Sequence, residues 1–306
     1  MTGGWRGSWS DTWPGGRVTE RAECVLAPNP GPMTLDGTNT WVLLEPGSDE
    51  ALVVDPGPLD EAHLRAVLGA VRARGARVGL SVLTHHHLDH AASAARFAEI
   101  SGSPVRRLAV GPGTAASRAR LPEGHARGGD LPEGRARGGD LRDGDLPEGD
   151  LRDGDRLDVG GLEAVVLATP GHTADSLSLL LPADQVLLTG DTMLGRGTTV
   201  VAYPGGDLTA YLASLERIAG FTAAGEVTQI LPGHGPVVVD AAEAVRYYLD
   251  HRRERLQQVR EALDAGDRTA DEVVARVYAD VPREVWPAAR LSVLAQLSYL
   301  DRQGQG

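Results

Sequence analysis

Thr84-His85-His86-His87-Leu88-Asp89-His90 packs four histidines and one aspartate into seven residues. It follows Val78-Gly79-Leu80-Ser81-Val82-Leu83, an apolar run that reads as a buried strand. Chemistry in α/β proteins is usually placed where strands end. Imidazole and carboxylate at this density fit a site for a borderline or hard divalent ion. A solvated polar turn would explain a histidine run by itself. It would not explain why distant segments repeat the format.

Three of them do. Leu162 to Ala168 leads to Thr169-Pro170-Gly171-His172-Thr173, Val186 to Thr189 leads to Gly190-Asp191, and Thr228 to Leu231 leads to Pro232-Gly233-His234-Gly235. Each is an apolar strand followed by a turn with a metal-capable side chain beside glycine, which lets the backbone turn sharply. One Pro-Gly-His is weak evidence. Four strand-end turns in one chain point to a single shared site.

The rest of the chain alternates strands and helices. Thr40 to Leu44, Leu52 to Val54, Val105 to Val110 and Arg156 to Val159 read as further strands. Helices are expected over Leu59 to Arg74, Ala91 to Ile100, Leu208 to Ile218, Ala241 to Leu263, Thr269 to Tyr278 and Glu284 to Leu300. Residues 1–24 read as a flexible N-terminal arm, because Gly and Pro around Trp5, Trp9 and Trp13 oppose a helix despite their spacing of four. A catalytic domain over 25–240 and a small C-terminal helical domain over 241–306 follow.

Residues 121–155 interrupt this pattern with two near-identical ten-residue units and three five-residue pieces. The spacing loosely resembles calcium-binding repeats, but each unit lacks the large apolar residues needed to stack. A disordered insertion is expected, in which a turn leading into the Arg156 strand has been duplicated. His125 lies within it.

Composition narrows the partners. The net charge is −12, which disfavours non-specific nucleic-acid binding. Every basic residue is arginine, and residues 121–155 hold ten acids and five arginines, a net of −5. Cys24 is the single cysteine, so neither an internal disulfide nor a thiolate-rich zinc site is available. With no signal-like N-terminus and no long apolar run, a cytoplasmic protein without membrane contact is expected. The sequence sets no oligomeric state.

Together, T-H-H-H-L-D-H, T-P-G-H-T, G-D and P-G-H-G resemble the ordered motifs of the metallo-β-lactamase superfamily. The resemblance implies an αββα sandwich with two zinc ions at one sheet edge. His85, His87 and His172 would hold the first metal, Asp89, His90 and His234 the second, and Asp191 would bridge them. His86 would point away. Metal-bound hydroxide would be the nucleophile, with Asp89 as the catalytic residue that orients it. Flavodiiron relatives place a carboxylate where His87 stands, which favours zinc hydrolysis. Relatives that became scaffolds have lost ligands, whereas all seven are present here.

Asn29-Pro30-Gly31-Pro32-Met33-Thr34-Leu35-Asp36-Gly37-Thr38-Asn39-Thr40-Trp41, Gly190 to Gly195 and His251 to Val259 are similar to the beta-lactamase-like protein 2 group, which adds a C-terminal winged-helix-like domain. Little chain remains here for a wing. The resemblance implies a phosphodiesterase or endoribonuclease acting on single-stranded RNA, with a thioesterase or other small-ester hydrolase as the alternative. Asn39 and Thr40 are the candidate substrate contacts, and Thr173 and Ser176 the candidate supports of the His172 loop.

Overall fold

Strands rich in Val and Leu, apolar on both faces, must be covered on both sides, and the chain does this with two stacked sheets between helices. The computed structural model describes residues 12–110, 146 and 149–304. The first sheet runs in sequence order: β1 (Gly16–Arg17), β2 (Ala22–Leu26), β3 (Asn39–Leu43), β4 (Glu50–Val54), β5 (Arg77–Val82) and β6 (Val105–Arg106). The second has the order β11-β10-β9-β8-β7, from β7 (Arg156–Val159), β8 (Leu162–Ala168), β9 (Leu177–Leu181), β10 (Val186–Gly190) and β11 (Gln229–Pro232). The parallel pairs are β4–β5, β5–β6 and β10–β11. A parallel pair needs a crossover, and helices supply each one. These are α1 (Glu61–Ala73), then α2 (Leu88–Ala91) with α3 (Ala94–Ser101), then α4 (Leu208–Ala223).

Side chains alternate across each strand and so sort into separate cores. Trp41, Leu43, Leu52, Val54 and Val82 meet Val166, Leu179 and Leu188 between the sheets. Val42, Val53 and Val78 face the other way, onto Leu64, Val67 and Val71 of α1 and Phe97 of α3. Leu180, Leu187 and Ile230 pack on Leu208, Tyr211 and Leu215 of α4 and on Val245 and Tyr248 of α5 (Ala241–Asp264). The αββα sandwich expected from the motifs is the observed fold.

The C-terminal unit is helical. α6 (Ala270–Val277), a 3₁₀ turn (Arg283–Val285) and α7 (Trp286–Gly304) enclose Val259, Val273, Val274, Val293 and Leu297. Thr269 caps α6 in a reciprocal pair with Glu272. Among the described residues no strand follows α6. Residue 241 is not a clean boundary, because α5 begins on the second sheet's outer layer and ends in this unit.

Other expectations need correction. The N-terminal arm does not extend to residue 24. β1 and β2 extend the first sheet, Ala22 and Cys24 are buried, and Trp13 donates its Nε1–H to Asn39 Oδ1 at 2.8 Å. Trp5 and Trp9 lie outside the described residues, as do 121–145, 147 and 148 of the repeat. The repeat's last residues belong to the fold. Leu151 is buried and bridges Leu108, and Asp153 Oδ1 accepts from Ala168 N at 2.8 Å. Of the expected Val105–Val110 strand, only Val105–Arg106 pairs as a strand, with an isolated bridge at Leu108. The Ala91–Ile100 helix is broken at Ser93, whose amide and hydroxyl both donate to Gly57 O.

Trp41 is 2% exposed and its indole donates to Pro232 O at 3.0 Å. Trp41→Ala should therefore cost ~3–5 kcal/mol in urea unfolding. Val239→Ser, at a side chain 69% exposed, should stay within about 0.5 kcal/mol of wild type.

Candidate metal centre

Four strands end at one edge of the sandwich and deliver the motif residues there. β5 leads to Thr84–His90, β8 to His172, β10 to Asp191 and β11 to His234. Backbone bonds fasten the turns together: Leu177 N donates to Thr84 O at 2.8 Å, and Gly233 N to Gly190 O at 2.8 Å. Gly190 has φ +48°, and a Cβ there would lie 2.5 Å from Thr84 Oγ1. At Gly233 a Cβ would lie 2.5 Å from Asp191 Oδ1. The turns meet so closely that no side chain fits between them.

The seven motif residues converge into clusters whose donor atoms lie within 4.8 Å of one another. His87 Nδ1 is 3.1 Å from His85 Nε2 and 3.0 Å from His172 Nε2. His234 Nε2 is 3.1 Å from His90 Nε2 and 3.0 Å from Asp89 Oδ2. Asp191 lies between the two trios, 3.4 Å from His90 Nε2, 3.5 Å from His234 Nε2 and 3.7 Å from His172 Nε2. Tetrahedral donors around a zinc-sized ion stand roughly 3.3 Å apart. These spacings match that figure.

Tautomers give an independent test of fit. Thr84 Oγ1 donates to Asp55 Oδ2, so it accepts from His85 Nδ1–H at 3.0 Å. His90 Nδ1–H donates to Asp55 Oδ2 at 2.8 Å, His172 Nδ1–H to Val200 O at 2.9 Å and His234 Nδ1–H to Gly37 O at 3.1 Å. In the neutral rings each Nε2 then presents a lone pair to the cluster. Asp191 Oδ1 is buried with no hydrogen-bond partner. Converging lone pairs and an orphaned carboxylate oxygen are the donor set a cation completes, so the residues fit a metal site.

The titration behaviour agrees. Burial holds His85 and His172 below the usual imidazole range, and burial with the charge of His172 lowers His87 to about 3. These rings stay neutral. At His90 and His234 burial opposes protonation, but the carboxylates of Asp89 and Asp191 outweigh it. His90 is held well above its ordinary value and His234 is pushed up to about 9. Burial likewise opposes ionisation of Asp89, yet His90 and His234 bring it down to about 2. Protons on His90 and His234 thus stand in for a cation.

His86, nearly half exposed, turns away and bonds Asp175 Oδ1 at 2.7 Å. Thr173 Oγ1 donates to the same oxygen at 2.8 Å, and Ser176 Oγ accepts from Thr173 N at 3.1 Å, bracing the His172 loop. Asn39 and Thr40 do not face substrate: both are 0% exposed. The Asn39 amide donates to Pro232 O and Gly235 O, which anchors the His234 turn. Thr40 Oγ1 donates to Asp55 O at 2.7 Å and meets His63 Nε2 at 2.9 Å. His63 and His251 are ordinary, each lowered by burial to about 4.

Asp55 is a functional residue that the motifs do not single out. It is 1% exposed and accepts from Thr84 N, Thr84 Oγ1 and His90 Nδ1. Its only signal is Asp-Pro-Gly at a strand end, the same format as the other turns. Arg252 has no such signal. This buried α5 residue donates to Thr199 O, and Thr199 Oγ1 donates to Asp191 O at 2.8 Å. The C-terminal segment therefore braces the Asp191 turn.

Asp55→Asn should weaken metal affinity by about 10–100-fold, read by chelator competition; wild-type affinity would show that its bonds do not orient the donors. At pH 8, below the His234 value of about 9, metal loading should displace about two protons, from His90 and His234. The heat of loading should therefore vary with the buffer's ionisation enthalpy.

Residues 33–234 match the Metallo-beta-lactamase superfamily model, and residues 269–305 the Beta-lactamase associated winged helix domain. The chain is 31% identical to the Beta-lactamase-like protein 2 homologs of Caenorhabditis elegans and Drosophila melanogaster, covering 94% of this chain and 86% and 90% of those proteins. An Atrochrysone carboxyl ACP thioesterase of Aspergillus fumigatus is 27% identical, over 88% of this chain and 76% of that one. A metallo-beta-lactamase family protein from Thermus thermophilus superposes with a TM-score of 0.71 at 25% identity, covering 94% of this chain and 95% of that one. The edge that gathers the seven donors lies within the matched segment, and the chain belongs to the metallo-beta-lactamase superfamily, a family of hydrolases, with its winged-helix appendage.

Proposed function

We propose that the chain is a dinuclear zinc hydrolase acting on small acyl esters or thioesters. The observation that carries this is the pair of donor trios with Asp191 within 3.4–3.7 Å of imidazole nitrogens from both. Nitrogen and oxygen donors without thiolate suit zinc in an open, reactive site. His85, His87 and His172 would hold one ion and Asp89, His90 and His234 the other, with Asp191 between. Such ions, when bound, lower the pKa of water to ~7 and polarise a carbonyl.

The chain's own residues do the rest. Asp55 fixes the tautomer of His90 directly and that of His85 through Thr84. Asp89 has the more open of the two central carboxylates, with its side chain 28% exposed against 12% for Asp191. It orients the attacking water and takes its proton. The water oxygen bonds to the acyl carbon, the C–S or C–O bond breaks, and the leaving group departs with the proton that Asp89 had taken from the water.

Single-stranded RNA is the first expectation from the sequence, and two observations favour the acyl reading over it. Arginines around this edge are spent on carboxylates: Arg107 lies 3.6 Å from Asp175, Arg106 pairs with Asp150 at 2.9 Å, and Arg196 pairs with Asp36. Those three charges are compensated, in a chain of net charge −12, which disfavours holding a phosphate backbone there. A largely apolar cavity also adjoins the His172 loop. The thioesterase relative supports the same choice. No described helix is long and apolar enough to cross a membrane. A cytoplasmic location is part of the proposal.

The zinc-loaded enzyme should be assayed side by side on acyl thioesters, bis-p-nitrophenyl phosphate and labelled single-stranded RNA. Thioester turnover should fall by about 10²–10⁴-fold in Asp89→Ala and be lost in His87→Ala. RNA cleavage that disappears in Asp89→Ala, without thioester turnover, would make the enzyme a nuclease.

A further inference from the structure

A cavity of 510 Å³ lies where the sandwich meets the C-terminal unit. Pro170, Gly171 and Thr173 form one wall, so the cavity is bounded by the loop that aims His172 at the metal cluster. Tyr203 and Leu208 form a second wall. Ala295 and Ser298 of α7 form a third, and Leu108 and Val110 a fourth. The lining is mainly apolar. Of the charged residues in the lining, Arg302 lies 3.1 Å from Asp207 and Asp153 accepts from Arg217 at 2.7 Å, while Arg152 is exposed at the rim.

From this we infer that the cavity seats the apolar acyl chain of the substrate, and that Ser298 on α7 helps set how long that chain can be. The inference rests on the acyl-hydrolase reading above. Its shape is that of a small-molecule site: hundreds of Å³, apolar walls and few charges. An apolar chain of several methylenes occupies a space of the few hundred Å³ typical of small-molecule sites. The 510 Å³ available admits such a chain. A nucleic-acid segment is a poorer occupant, because the lining is mainly apolar and offers one aromatic ring, Tyr203, for bases to stack on. What ties the cavity to the metal edge is that its lining residues Gly171 and Thr173 flank His172 on either side. The C-terminal appendage then has a defined task, because without α7 the cavity lacks a wall.

Each methylene buried in the cavity should raise kcat/KM about fourfold until the space is filled. The zinc-loaded full chain should therefore hydrolyse the octanoyl thioester of N-acetylcysteamine faster than the acetyl thioester. Ser298 is half-buried, so a larger side chain there has room to enter the cavity. Ser298→Phe should lower the octanoyl-to-acetyl ratio by at least about tenfold, and Ala210→Leu, on the α4 side of the lining, should lower it in the same direction. Val239→Ser, outside the cavity, should leave the ratio at the wild-type value. Calorimetric binding of decanoate, which needs no turnover, should weaken in both cavity variants. An unchanged ratio and unchanged decanoate binding in both would overturn the cavity assignment while thioester hydrolysis stands. Decanoate binding lost in the variants, with no thioester hydrolysed by wild type, would keep the cavity and reject the reaction.

Discussion

Imidazole lone pairs and carboxylates buried face to face are the constraint on which this molecule depends. Nitrogens 3.0–3.1 Å apart, two carboxylates among them and an unpartnered Asp191 oxygen are costly without positive charge. The fold forces the arrangement. Asp55 fixes His90, and Thr84 fixes His85, while the carbonyls of Val200 and Gly37 fix His172 and His234. Each of these four rings is turned inward by a bond on its other nitrogen. Protons on His90 and His234 relieve the repulsion only in part, because His85, His87 and His172 stay neutral.

The two sheets exist, in functional terms, to bring four chain-distant turns to one edge. The turn after β5 supplies four donors and the second sheet supplies three. Neither sheet makes a site by itself. The contacts joining them are tight backbone ones, such as Leu177 to Thr84, backed by the Trp41 indole on Pro232. The centre is therefore as rigid as the core beneath it, which suits donors that must keep their geometry through a reaction.

Much of this was legible in the sequence. Apolar strands ending in His or Asp beside glycine point to a shared metal-capable site, because period and turn chemistry are local properties, and the sandwich fold and the full donor set follow from the family resemblance those motifs carry. Harder to read were the interactions that only the tertiary structure creates. Asn39 and Thr40 read as part of a polar turn, yet they open β3, and the chain folds over them and uses their hydrogen bonds to hold Pro232, Gly235 and Asp55. Asp55 and Arg252 lie outside the motifs along the chain, but in space each supports a donor turn. Asp55 bonds Thr84 and His90, and Arg252 reaches the Asp191 turn through Thr199. Leu151, one leucine in a low-complexity repeat, becomes core because Leu108 pairs beside it.

The C-terminal unit ties these threads together. α5 sends Arg252 to the loop behind Asp191, and α7 closes a cavity beside the His172 loop. An appendage that could have been only a covering is thus built into both the metal edge and the space next to it. All of this depends on two ions being held at that edge. Elemental analysis of the purified chain, dialysed against trace zinc and normalised to protein by amino-acid analysis, tests that most directly. About two zinc ions per chain are predicted, falling below one in His87→Ala. A wild-type chain that retains no metal under those conditions would contradict the dinuclear centre.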